Sequence, residues 1–101
     1  MVVVRVVGAG YACPMPSRTI RILDLFAGAG GLTAGFHGAS DRFRSVAAVE
    51  LDPAAAASYS TTFAKTDVFT GPIQDWLARA DMPADVDVVV GGPPCQGFSA
   101  L

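Results

Sequence analysis

Apolar and polar positions divide this 101-residue chain into short segments of two kinds. The first kind is a continuous apolar run bounded by turn-forming residues. Residues 19–26 (TIRILDLF), 45–51 (SVAAVEL), 67–69 (DVF) and 86–90 fit this description, and a short run opens the chain at residues 1–7. Such runs predict strands covered on both faces. The second kind carries helical signals. Residues 32–37 read as a helix ended by Gly38. Asp52-Pro53 reads as a helix start, with Asp as N-cap and Pro in the first turn, before a run of alanines that continues to about Thr62. In residues 72–80 (PIQDWLARA), Ile73, Trp76 and Leu77 recur at helical spacing and are expected to face the core. Strand and helix alternate from Thr19 onward, which predicts an α/β fold: a parallel sheet with flanking helices. Phe36 and Phe43 read as packing residues, Arg42 and Arg44 as a solvated pair, and His37 as a helix-end residue.

Composition narrows the class. Hydrophobic residues make up 51% and charged residues 16%, which argues against disorder. The net charge of −2 places most of any phosphate-binding surface outside this stretch. Cys13 and Cys95 fit no metal spacing, and no disulfide between them is expected. The opening apolar run is interrupted by Arg5 and is too short for a signal peptide or a membrane span. The expectation is a cytoplasmic protein with no membrane partner. Residues 1–18 read as an N-terminal extension, strand then Gly/Pro-rich linker, and Met15 is a candidate start. Residues 19–101 read as an incomplete binding and catalytic domain.

Three motifs carry chemistry. Asp24-x-Phe26-x-Gly28-x-Gly30-Gly31 lies between the first strand of the α/β pattern and its helix, where open α/β sheets bind nucleotide-like ligands. Thr33 stands where a dinucleotide fingerprint needs glycine, and no Gly-Lys-Ser/Thr follows, so a nucleoside fits better than a pyrophosphate. Glu50 ends the next strand, 22 residues after Gly28, the separation at which an acid accepts ribose hydroxyls. Asp52 competes for that role, but helix capping accounts for it. Finally, Gly91-Gly92-Pro93-Pro94-Cys95-Gln96 ends a strand on a stiff corner, a way to aim a thiol nucleophile. Ser99 and His37 do not make a hydrolase triad, since there is no G-x-S-x-G.

Together, DLFAGAGG, VAAVELD and VVVGGPPCQGFS resemble the cytosine-C5 DNA methyltransferase family from Ile20 to Leu101. The resemblance implies a partial Rossmann-like, S-adenosylmethionine-dependent methyltransferase fold whose later strands are missing. It implies S-adenosylmethionine as cofactor, with Phe26, Ala27, Gly28, Gly30, Gly31 and Leu32 lining its methionine and sugar, Glu50 holding the ribose and Ile73 packing on adenine. Cys95 would be the catalytic nucleophile. Pro93 would shape the cofactor side of the pocket, and Gln96 the substrate side. The implied reaction is covalent: the Cys95 thiolate adds to C6 of a flipped-out cytosine, C5 then takes the methyl group, and loss of the C5 proton expels the cysteine.

The resemblance has departures. An acid that contacts adenine in the family is replaced by Pro72, with Asp67 or Asp75 as substitutes. The elements that follow PPCQGFS in the family, including its DNA-recognition region, do not occur in this sequence. The expected partners are therefore double-stranded DNA, mainly through that further part, and a complementary C-terminal polypeptide, with restriction-modification as the setting. This chain alone is expected to be inactive, and its last strand is expected to be an unpaired edge. The competing readings are a non-catalytic nucleoside-binding relic and an RNA cytosine methyltransferase. QGFS after the cysteine favours DNA.

Overall fold

The computed structural model describes residues 3–6, 19–79, 81–83 and 85–92. In chain order these form β1 (Val3–Val6), β2 (Ile20–Leu25), α1 (Gly31–Ala39), β3 (Phe43–Glu50), α2 (Pro53–Thr62), β4 (Asp67–Thr70), α3 (Ile73–Leu77) and β5 (Val88–Gly91). The sheet order is β1-β5-β2-β3-β4. Strands β5, β2, β3 and β4 are mutually parallel, as the alternation of strands and helices predicts.

Side chains alternate across the sheet and sort the helices by face. Ile22, Val88 and Val90 pack with Leu32 and Phe36 of α1, while Ala48 packs with Tyr59 of α2. The opposite face carries Leu23, Ala47 and Val49 against Trp76 of α3. The chain thus steps from β2 through β3 to β4 over one face. It then returns by α3 over the other face to β5, beside β2. The reversal places a crevice outside the C-terminal ends of β2, β3 and β5, where an open α/β sheet takes its ligand. A register shift between Ile22 and Leu23 leaves Val46 of β3 without a partner on β2. Past that shift, Asp24 and Ala48 are register partners.

Four expectations are corrected. Gly38 lies inside α1; the helix instead ends where Ser40 turns extended and its N–H donates to the Phe36 carbonyl. The third helix is a short one, beginning after Pro72 rather than at it. Leu77 is 56% exposed. One turn of helix offers a single deep position on the sheet, and the larger Trp76 fills it. Lastly, β5 is not an open edge, because β1 pairs with it antiparallel from Val3 opposite Gly91 to Val6 opposite Val88. Pairing of this kind satisfies backbone groups that would otherwise template aggregation. Other readings hold. Asp52 caps α2, its Oδ2 accepting from the Ala55 N–H at 3.1 Å. Phe36 and Phe43 meet edge to face at 5.0 Å.

Candidate functional site

Strand β2 ends at Leu25, and the backbone then turns sharply through residues 26–30 into α1. Phe26 adopts φ 55°, left-handed space that is costly for an aromatic residue. The residue remains 38% exposed and lines a cleft. Gly30 has φ 101°, and a Cβ there would lie 2.5 Å from the Phe63 ring and 3.1 Å from that of Tyr59. Only glycine lets α2 press this closely on the loop.

Glu50, at the end of β3, holds the loop from the cleft side. Its Oε1 accepts the Gly28 N–H at 2.7 Å and its Oε2 accepts the Asp52 N–H at 2.7 Å. The carboxylate therefore bridges the glycine loop and the start of α2. Each carboxylate oxygen has a second acceptor site, so a vicinal diol can bind without displacing either amide.

The cleft has a volume of about 690 Å³, within the range of small-ligand sites. Phe26, Leu51, Pro53, Pro72 and Ile73 give it apolar walls, and Glu50, Asp52 and Gln74 give it polar groups. Among the described residues, no lysine or arginine lines it. A wall whose described residues include two carboxylates and no cation suits a neutral or positively charged nucleoside and disfavours a phosphorylated one.

The structure brings Phe26, Glu50 and Ile73 to this cleft, with Gly28 joined through its amide. Ala27 is buried against Ala48 and Tyr59, Leu32 packs toward Ile22 and Val90, and Gly31 opens α1. Gly30 serves the packing just described. Neither Asp67 nor Asp75 lines the cleft. Pro93, Cys95 and Gln96 lie outside the described residues. Gly92, immediately before them, is on the cleft wall.

Beneath the loop is a polar cluster that the sequence motifs do not announce. Asp24 is 1% exposed, and Thr33, Ser45 and Tyr59 are equally enclosed. The Thr33 hydroxyl donates to Asp24 Oδ2 at 2.5 Å. Its oxygen then accepts from the Tyr59 hydroxyl at 2.9 Å, whose oxygen accepts from the Ser45 hydroxyl at 2.6 Å. Each hydroxyl has one proton, so an ionised Asp24 fixes the direction of the whole chain. Burial raises the Asp24 pKa to about 6, opposed by the Thr33 hydrogen bond and reinforced by the nearby Glu50 charge. Burial also raises that of Tyr59. A signal existed in retrospect: Asp24 and Thr33 are nine residues apart across the glycine loop, and both are polar where a core is expected.

A parallel sheet with a glycine loop, a bridging carboxylate and a largely apolar cleft at its C-terminal edge has the architecture of an open α/β domain with a ligand-sized site. A family model described as C-5 cytosine-specific DNA methylase matches residues 20–101, and the chain belongs to that family. Among curated relatives, the type II methyltransferase M.AquIA of Picosynechococcus sp. is 36% identical over 85 residues, covering 78% of this chain and 34% of the relative. The type II methyltransferase M.DdeI of Desulfomicrobium norvegicum is 42% identical over 83 residues, covering 79% and 19%. DNA (cytosine-5)-methyltransferase 1 of Rattus norvegicus is 37% identical over 95 residues, covering 81% and 6%. The chain therefore spans about a third or less of the length of these relatives. The family match begins at β2, so β1 lies outside it. Among the described residues, no helix is long and apolar enough to cross a membrane.

Proposed function

We propose that the cleft binds S-adenosylmethionine and that the protein takes part in methyl transfer to C5 of cytosine in double-stranded DNA. The observation that carries this reading is the Glu50 carboxylate, fixed between the Gly28 and Asp52 amides on a cleft that no lysine or arginine among the described residues lines. Glu50 would hold the two ribose hydroxyls. Phe26 and Ile73 would flank the adenine, and Gln74, on the same wall, is a polar side chain able to meet its amino edge. Ala27, Gly28, Gly30, Gly31 and Leu32 would contribute backbone to the sugar and methionine portions. S-adenosylmethionine, when bound, supplies an electrophilic methyl group on a sulfonium, and the net negative wall suits that charge.

Cys95 is assigned the nucleophilic role. Its thiolate forms a bond to cytosine C6, which makes C5 electron-rich, and the same bond breaks when the C5 proton leaves. A duplex base must be flipped out to meet it. Pro93 and Gln96 would shape the pocket beside it. Support comes from the family match through Leu101 and from the position of Gly92 on the cleft wall. A complementary C-terminal polypeptide supplying DNA recognition belongs to this reading.

Calorimetric titration of the chain with S-adenosylmethionine tests the cofactor assignment. Glu50→Gln turns one acceptor oxygen into a donor, giving up one backbone brace together with part of the ribose acceptance, and affinity should fall about tenfold or more. Unchanged affinity in Glu50→Gln would remove the basis of the assignment.

A further inference from the structure

The buried cluster beneath the loop is not used by the cleft chemistry, yet it joins four elements: Asp24 on β2, Thr33 on α1, Ser45 on β3 and Tyr59 on α2. Asp24 and Thr33 stand on either side of the glycine loop, so their hydrogen bond closes the loop at its base. Glu50 holds the same loop at its tip through Gly28. The base clamp is charge-assisted when Asp24 is ionised, and every hydroxyl then points along the chain toward it. A neutral Asp24 has a proton of its own to donate. It can give that proton to Thr33 and reverse the chain, so the loop base is no longer held in one arrangement.

We propose that Asp24 is a positioning residue for the nucleoside loop, acting through Thr33 and Tyr59, and that its ionisation strengthens ligand binding. The inference rests on the nucleoside reading of the cleft. It adds a proton-linked control that the cleft residues alone do not provide. The raised pKa of Asp24, about 6, puts the switch within reach of mildly acidic conditions. Among the described residues, three other ionisable groups face this space. Glu50 approaches from the end of β3, and its charge opposes that of Asp24. Tyr59 approaches from α2. His37 of α1 lies at the far end, where its Nε2 accepts the Ser45 N–H at 3.3 Å. The β5 neighbour, Val90, is apolar.

The test is titration with S-adenosylhomocysteine between about pH 5 and pH 7.5, the window in which such a carboxyl changes charge. The chain should bind about tenfold more weakly at the acid end. Asp24→Asn should bind at the weak level throughout. Thr33→Val removes the hydrogen bond through which Asp24 holds the loop base, and Tyr59→Phe removes the next link of the chain. The pH dependence of binding should therefore be lost in Thr33→Val and weakened in Tyr59→Phe, while Thr33→Ser retains it. His37→Gln is the control for the imidazole at the far end of the cluster, and it should leave the midpoint in place. Normal binding with no pH dependence, or a dependence that survives Asp24→Asn and vanishes in His37→Gln, overturns the inference while leaving the nucleoside reading intact. Absence of binding at every pH overturns the nucleoside reading instead. In that case the amide resonances of Gly28 and Gly30 in the ligand-free chain decide the inference. Shifts that titrate with the Asp24 carboxyl support the positioning role, and silent amides refute it.

Discussion

Glu50 and Asp24 are two carboxylates that grip one loop from opposite sides. Glu50 is half-buried at the rim and accepts two backbone amides. Asp24 is enclosed beneath the loop and accepts from the Thr33 hydroxyl, the first of a chain of hydroxyls. Backbone amides are fixed donors that cannot reverse, so the Glu50 side is an anchor. Hydroxyls rotate and can donate in either direction, so the Asp24 side responds to protonation. The same functional group is thus made rigid or switchable by the partners that its strand position provides.

The largest consequence concerns stability and pH. The Asp24 pKa is raised in the folded chain, to about 6 from 3.8. Stability from this group is fully present below pH 3.8, declines as pH rises, and is gone above about pH 6. The displacement corresponds to roughly 3 kcal/mol. Asp24→Asn removes that dependence. In urea unfolding, the stability of Asp24→Asn relative to the parent chain should therefore rise by about that amount from pH 4 to pH 7. A difference that stays constant with pH would show that Asp24 is not held as described.

The next effect falls where both sides of the loop meet. Gly30→Ala forces a Cβ against Phe63 and Tyr59 in a backbone conformation that alanine avoids. It should cost about 2–3 kcal/mol of stability, read from thermal or denaturant melts. A neutral result would mean that α2 does not press on the loop. The smallest effect belongs to the rim. Asp52→Ala loses the cap of α2 and should cost about 1 kcal/mol, again by denaturant melts, while Asp52's own N–H to Glu50 is retained. A larger loss would show that the rim depends on the cap more than the geometry implies.

The rim side was legible in the sequence, and the buried side was not. Glycines, an acid near the required separation and an Asp-Pro helix start are local signals, each tied to one backbone conformation. Strands β2 to β5 and helix α2 emerged for the same reason. The hydroxyl chain has no such mark. Thr33, Ser45 and Tyr59 come from three elements, and each alone reads as an ordinary polar or aromatic position. Thr33 was noticed only as the glycine that is absent from a dinucleotide fingerprint. Leu77 and Gly38 were misread because helix length is set by packing on the sheet rather than by spacing alone. Pairing of β1 with β5 depends on contact between the two ends of the chain, which no local pattern records.

The central claim is that Glu50, braced by Gly28 and Asp52, receives the ribose of an adenosyl cofactor. Amide chemical-shift mapping of the chain with S-adenosylmethionine tests it most directly. The account predicts saturable shifts concentrated at Gly28, Asp52 and Ile73, with none of comparable size on adding ATP. Shifts that leave Gly28 and Asp52 untouched, or an equal response to ATP, would contradict it.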